Sequence, residues 1–326
     1  AFYQPKKIRR VFGYFCNCMK GLVIKSTGSR YQVRTQEGML DCVLKGKMRL
    51  EGRKTTNPVA VGDAVEIERD ATGETAIVSI YPRKNYIIRK SINLSRQAHI
   101  IASNLDQAIL LATLVTPRTS LGFIDRFLVT AEAYRIPARI IFNKCDLLSE
   151  ELLAVQQEII QIYEKAGYEC HALSSFDAAQ IQALQPLLKD KLTLVAGHSG
   201  VGKSTFINAL APDLALKTGA LSTAHNKGMH TTTFAEMFDL PQGGHLIDTP
   251  GIREMGIVSV KQEELSHYFP EMRDRLTQCK FNNCQHIQEP GCAIKDAVSD
   301  GNIREERYLS YLSIWESLAS DDHGSR

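Results

Sequence analysis

Leu192-Thr193-Leu194-Val195-Ala196-Gly197-His198-Ser199-Gly200-Val201-Gly202-Lys203-Ser204 carries an apolar segment straight into the pattern G-x-x-x-x-G-K-[ST]. That pattern marks a phosphate-binding loop when it leaves a strand and enters a helix. Leu192–Ala196 reads as a buried strand, and Lys203 to about Leu210 as a helix, so the context is met. In such a loop Gly197, Gly200 and Gly202 let backbone N–H groups turn inward around a β-phosphate, where a Cβ would obstruct. Lys203 brings a point charge to the β/γ oxygens, the Ser204 hydroxyl can ligate Mg²⁺, and the helix adds its N-terminal partial charge. His198, Ser199, Val201 and Thr205 complete the run that lines the nucleotide.

About fifty residues earlier stands Asn143-Lys144-Cys145-Asp146, following the apolar run Ala138–Phe142. This N-K-x-D form suits guanine. The Asp146 carboxylate can accept from N1–H and the 2-amino group, which adenine cannot offer. Asn143 can reach the other base edge or brace the phosphate loop, and the Lys144 stem can pack over the ring. Ser174-Ser175, after Ala172-Leu173, stands where a backbone contact to guanine O6 is expected. Ras-like GTPases place the phosphate loop first and the guanine motif later. Here the order is reversed, which reads as a circularly permuted GTPase.

Two further stretches fit the same chemistry. His245-Leu246-Ile247-Asp248-Thr249-Pro250-Gly251 reads as a strand running into D-x-P-G. Asp248 would join the Mg²⁺ shell, and the Gly251 N–H would sense the γ-phosphate. Thr231-Thr232-Thr233 lies where a switch threonine would close on Mg²⁺, with Thr232 or Thr233 preferred. Taken alone, that run would read as a β-edge. The position after the D-x-P-G glycine holds Ile252, where many Ras-like GTPases place a water-positioning Gln. Hydrolysis is then slow or completed by another group. His230 is the local candidate beside Lys203 and Thr232, although a solvated loop His without a role fits equally.

Cys279-x4-Cys284-x-His286-x5-Cys292 gathers three thiols and an imidazole, the donor set of a closed structural zinc site. With three of the eight cysteines spent there, disulfide stapling is the weaker reading, and a reducing cytoplasm is expected. No run of eighteen apolar residues is present, so a membrane partner is not expected. Val11–Cys18 is too short and too polar at its flanks for a secretory signal.

The net charge of +3 conceals an asymmetry, because residues 1–58 carry thirteen Lys or Arg against three acids. A basic end on an acidic remainder suggests a polyanionic partner, against the plainer reading of a solvated face. Within that end, Leu22–Lys25, Tyr31–Arg34, Cys42–Leu44, Ala64–Glu68 and Ala76–Ile80 are strand candidates between turn signals. Five short strands with this charge suggest an OB-fold barrel. From about Ser95 strands and helices alternate. Gln107–Leu114 and Ala138–Phe142 read as buried strands, Phe123–Tyr134 as a helix, and Glu150–Lys165 as a helix capped by Ser149 and ended at Gly167. After about Gly256 helical patterns surround the Cys/His cluster. The expected organisation is a basic arm or extension at 1–18, a barrel at 19–90, a permuted α/β nucleotide domain at 95–256 and a mainly helical zinc domain at 257–326.

Taken in order, N-K-C-D, G-H-S-G-V-G-K-S-T, G-M-H-T-T-T, D-T-P-G-I-R-E-M-G and C-x4-C-x-H-x5-C resemble the RsgA family (also YjeQ or YloQ) over about residues 19–320. The resemblance implies a GTPase of small-ribosomal-subunit maturation, stimulated by the subunit and bound to its rRNA. The expected cofactors are Mg²⁺ with GTP or GDP and one structural Zn²⁺, and a cytoplasmic monomer is expected. His198 stands where the family more usually has Gln, and residues 1–18 have no clear counterpart. A nucleotide-gated RNA-binding module, whose hydrolysis only resets affinity, is the alternative. An unrelated ATPase is disfavoured by Asp146.

Overall fold

A computed structural model of the chain describes residues 18–45, 58–90, 98–214, 235–248 and 260–323. Five strands come first: β1 (Cys18–Ser26), β2 (Arg30–Thr35), β3 (Gly38–Leu44), β4 (Ala64–Arg69) and β5 (Thr75–Ile80). They pair in the order β1-β2-β3-β5-β4, and β4 returns to β1 from Cys18↔Glu68 to Leu22↔Ala64. The sheet therefore closes into the expected barrel and leaves no free edge. Strand side chains alternate between two faces, so Val23, Val33, Cys42, Val65, Ile67 and Ile77 fill the interior with Tyr31.

A hairpin not expected from the sequence follows, in which β6 (Tyr86–Lys90) pairs antiparallel with β7 (Ala98–Ser103). Its connection contains neither Gly nor Pro, so the usual hairpin signal is absent. The barrel is locked to this hairpin through Asp63, which is fully buried. Its carboxylate accepts from Arg83 Nε and Nη2 at 2.6 Å each, from Ser103 Oγ at 2.6 Å and from the Ala60 N–H at 2.8 Å. A buried charge is tolerated when it is paired and hydrogen-bonded in this way.

Six more strands form the nucleotide fold: β8 (Gln107–Ala112), β9 (Ala138–Phe142), β10 (Glu169–Ala172), β11 (Leu192–Ala196), β12 (Glu236–Asp239) and β13 (His245–Asp248). Their spatial order is β10-β9-β8-β11-β13-β12, parallel except for β12. β8 and β9 precede the phosphate-loop strand in the chain, yet β8 lies directly beside it. The permuted order is thus reconciled in space. Both faces of the sheet centre are covered, which is why β8, β9 and β11 read as continuous apolar runs. Ala108, Leu110, Ile140, Phe142 and Leu194 face one core with Phe127 and Tyr163; Ile109, Leu111, Ile141 and Val195 face another with Ile181 and Phe206.

Capping sets the helix limits. Ser149 Oγ accepts from the Leu152 N–H and starts Glu150–Lys165, and Gly167 leaves the helix at φ +94°. Ser120 Oγ accepts from the Phe123 N–H, so the preceding helix, Leu121–Ala133, begins two residues and ends one residue earlier than the expected Phe123–Tyr134. Each such cap contributes about 1 kcal/mol. β12 also bridges to β1 at Lys25↔Glu236, joining barrel and nucleotide sheet into one eleven-stranded surface. Ion pairs Lys25–Glu236 at 2.9 Å and Arg34–Asp239 at 2.7 Å flank that junction.

Residues 260–323 contain no strand; helices Pro270–Arg273, Ala293–Ser299 and Glu305–His323 surround the Cys/His cluster. Leu265, Phe269, Met272, Ile294, Ile303 and Ile314 form their core, together with Val129 of helix Leu121–Ala133. At that seam Arg307 is 1% exposed, bonded to Asp125 and to Glu271 Oε1 at 2.7 Å, with its guanidinium 4.6 Å from the Phe269 ring centroid. Among the described residues no helix is long and apolar enough to cross a membrane.

Candidate functional site

All the candidate nucleotide residues that are described stand at the carboxyl ends of the parallel strands, where ligands bind in open α/β sheets. β11 ends into Gly197, β9 into Asn143, β10 toward Ser174 and Ser175, and β13 at Asp248. The register sets Asp248 opposite Val195, one residue before β11 ends. Thr231, Thr232, Thr233, His230, Gly251 and Ile252 lie outside the described residues, as do residues 1–17 of the arm expected at 1–18, whereas Cys18 is the first residue of β1.

Three glycines of the phosphate loop have positive φ: Gly197 at +148°, Gly200 at +86° and Gly202 at +96°. At Gly202 the requirement is double, because a Cβ there would stand 2.5 Å from Asn143 Nδ2. The loop closes over Lys203, whose Nζ donates to the Gly197 carbonyl at 2.7 Å and the His198 carbonyl at 2.9 Å. Ser204 and Thr205 follow in the first turn of helix Lys203–Leu210 and are half-buried. Val201 is fully buried and anchors the loop in the core.

Asn143 is 2% exposed and braces two loops at once. Its Nδ2 donates to the Val201 carbonyl at 2.9 Å. Its Oδ1 accepts from the Ser175 N–H at 3.0 Å and the Ser175 hydroxyl at 2.8 Å. Of the two roles read from the sequence, bracing is the one this geometry displays. Lys144, in the left-handed region at φ +65°, extends across to the Gly200 carbonyl at 2.6 Å and the Thr116 carbonyl at 2.8 Å. Cys145 turns inward, its thiol meeting the Phe142 carbonyl and Gln156 Oε1 at 3.3 Å each. Burial pushes that thiol up, so it stays a neutral donor. Asp146 follows on the exposed side, free of the core.

Several contributors carried no sequence signal. The Ser174 N–H donates to Gln180 Oε1 at 2.8 Å, fixing the loop after β10 from the next helix. Phe123 packs its ring on the His198 imidazole with centroids 3.6 Å apart. Pro117 Cδ would lie 3.3 Å from a Cβ on Gly200. These contacts join residues far apart in the chain, so local pattern does not reveal them.

The second centre is the cluster of Cys279, Cys284, His286 and Cys292, whose ligand atoms all lie within 4.8 Å of one another. His286 Nδ1 is 3.6 Å from Cys279 Sγ and 3.4 Å from Cys292 Sγ. A tetrahedral centre with metal–sulfur bonds of about 2.3 Å and metal–nitrogen bonds of about 2.0–2.1 Å separates its N and S ligands by roughly 3.6 Å. The donor set therefore fits a metal ion. Burial, aided by the Cys292 and Cys279 sulfurs, pushes the Cys284 thiol up to about 12. A cation among the sulfurs is what would hold them as thiolates at neutral pH. Burial also lowers His286, keeping the imidazole neutral as a ligand must be. The surrounding backbone is fixed by Tyr308 and Tyr311, whose hydroxyls donate to the His286 carbonyl at 2.6 Å and the Gln285 carbonyl at 2.8 Å. Glu289 accepts from the Gln285, Ile287 and Gln288 N–H groups.

Known proteins resemble this chain over most of its length. The family model described as RsgA GTPase matches residues 80–258, and the RsgA N-terminal domain model matches residues 20–77. The small ribosomal subunit biogenesis GTPase RsgA of Bacteroides fragilis is 53% identical over 299 residues, covering 91% of this chain and 96% of its own. Its counterpart in Christiangramia forsetii is 51% identical over 302 residues, with the same coverage of 91% and 96%. Among solved structures, YjeQ from Thermotoga maritima superposes with a TM-score of 0.75 at 34% identity, over 93% of this chain and 99% of that one. The structure described as YloQ, a circularly permuted GTPase, gives a TM-score of 0.72 at 28% identity, over 95% and 99%.

Proposed function

The chain belongs to the RsgA family of circularly permuted GTPases, and we propose that it hydrolyses GTP as a maturation factor of the small ribosomal subunit, acting late and stimulated by that subunit. The observation that carries the nucleotide half is the Asn143 brace, which holds the guanine-type motif and the phosphate loop in one site despite their reversed order. The printed names of relatives at about half identity support the ribosomal half.

In this reading Asp146 selects guanine, with Asn143, Lys144, Ser174 and Ser175 shaping its pocket. Gly197 to Thr205 wrap the phosphates. Lys203 carries positive charge to the transferring group, and His230 is the candidate that aids the attacking water. Mg²⁺, held by Ser204, Asp248 and Thr232 or Thr233, would neutralise charge building on the β/γ oxygens. In this reading the Gly251 N–H would report the γ-phosphate. Zn²⁺, one per chain and structural, is the metal that three thiolates and one imidazole suit.

The basic barrel, taken as residues 19–90, is proposed to bind rRNA and supply salt-sensitive affinity. Residues 257–326 would present a nucleotide-dependent surface, since the D-x-P-G stretch leads into them from a nucleotide domain at 95–256. The protein is proposed to act as a cytoplasmic monomer.

The test measures GTP turnover by the full chain with and without purified small subunits, and sedimentation with them in GDP and in a non-hydrolysable analogue. Faster turnover and tighter binding with the analogue are expected; a tenfold preference corresponds to about 1.4 kcal/mol. Equal rates with and without subunits would overturn subunit stimulation. Equal binding in both nucleotide states would remove the switch.

A further inference from the structure

One helix touches both the phosphate loop and the C-terminal region. Phe123, in the first turn of Leu121–Ala133, stacks on His198 of the phosphate loop with ring centroids 3.6 Å apart and planes 32° apart. The carbonyl of the same His198 holds Lys203 Nζ at 2.9 Å, so the position of His198 bears directly on the phosphate-binding cation. At about 100° per residue, Asp125, Val129 and Glu132 fall together on a stripe roughly opposite Phe123.

That stripe meets the C-terminal region. Asp125 is 1% exposed and bonded to Arg307 of helix Glu305–His323. Val129 is fully buried in the C-terminal core, and Glu132 Oε2 accepts from Arg273 Nη1 at 3.0 Å. Arg126 adds a bond to Ser317 Oγ at 3.2 Å. Arg307 is also held by Glu271 and lies over Phe269, within a buried seam. Removing one partner from such a buried ion cluster leaves an uncompensated charge, so this face of the helix is tied firmly to the metal-bearing region.

We infer that Phe123 is a positioning residue for the phosphate loop, and that helix Leu121–Ala133 couples the occupancy of that loop to helix Glu305–His323 and the metal-bearing region. The coupling runs from phosphates to His198, from His198 to Phe123, and through a rigid helix to Asp125 and Arg307. Binding linkage makes it reciprocal: a partner that shifts the C-terminal helix changes nucleotide affinity by the same factor. The inference rests on the nucleotide-site reading proposed above.

The experiment is hydrogen exchange on the full, metal-loaded chain, with and without saturating GDP. Two segments are read, 197–204 and 305–323. In the wild type GDP slows exchange in both, with an effect of about fivefold expected at the remote segment, the low end of ordinary coupling. Phe123→Leu at saturating GDP keeps the local protection and loses the remote one, and Phe123→Tyr, which retains an aromatic face, restores it. His198→Ala removes the stack from the loop side without touching the helix, and must reproduce the loss. Remote protection that persists in Phe123→Leu and His198→Ala, or that is absent in wild type while 197–204 is protected, overturns the coupling alone. Failure of GDP to protect 197–204 in the wild type overturns the nucleotide reading together with it.

Discussion

Asn143 Nδ2 donates to the Val201 carbonyl at 2.9 Å, joining two loops whose bonded residues are 58 positions apart in the chain. The same side chain accepts twice from Ser175. A single buried amide thus fixes the relative position of the base-selecting and phosphate-binding loops.

Asn143→Ala should loosen both loops. Each lost bond leaves a buried partner unsatisfied, at about 1–3 kcal/mol apiece. The expected result is GDP affinity lowered by tenfold or more, about 1.4 kcal/mol per decade, together with a lower melting temperature. Calorimetric titration and thermal denaturation check it, and unchanged affinity would show that the brace does not shape the site.

Asp146→Asn should move base preference from guanine toward xanthine. An amide can donate to the 2-oxo group of xanthine where the carboxylate accepted from the 2-amino group of guanine. Competition between GTP and XTP for the protein measures this. Because Asp146 is exposed, the fold should be unaffected. Equal discrimination before and after the change would remove Asp146 from the base pocket.

Gly202→Ala should abolish nucleotide binding, since it combines a φ of +96° with a Cβ set 2.5 Å from Asn143 Nδ2. Gly38→Ala is the control: φ is +113°, but nothing lies within 4 Å of its Cβ. Backbone strain alone costs about 1–3 kcal/mol. Gly38→Ala should therefore lower the melting temperature and spare GDP affinity. Equal binding defects in both variants would refute the contact argument.

One equivalent of zinc per chain is expected by elemental analysis of freshly purified protein. Chelation, or Cys284→Ser, should unfold residues 260–323 ahead of the barrel, because metal binding supplies much of the folding energy of such small sites. Hydrogen exchange resolves the two regions. Metal content below about half an equivalent would argue against the site.

Acid should weaken the barrel junction through Asp239. Burial raises its pKa, but hydrogen bonds from Arg34 and His245 outweigh this and hold the carboxyl below its usual range. A group depressed in the folded state stabilises above its unfolded pKa, and that stabilisation disappears as pH falls through the folded value. The loss should therefore begin below about pH 4. Asp239→Asn should flatten the fall in melting temperature below about pH 4, and an identical slope in both proteins would contradict it.

The sequence by itself determined what is local. Ser149 and Gly167 set the ends of a helix, Leu192–Ala196 and Lys203–Leu210 framed the phosphate loop, and alternation marked the five barrel strands. The Cys/His spacing pointed to a cluster, because its ligands are close along the chain as well as in space. Capping bonds, φ preferences and apolar periodicity act over a few residues, so they are written in order. The hairpin β6–β7 escaped because its turn carries neither Gly nor Pro. Only the tertiary structure decided which of two roles Asn143 displays, that Cys145 faces the core, that Phe123 stacks on His198, and that Arg307 shares a buried seam with Asp125 and Glu271. Each of those outcomes depends on which distant segments the closed barrel and the parallel sheet bring within about 3–4 Å, a range at which hydrogen bonds and packing act but along which sequence distance carries no signal.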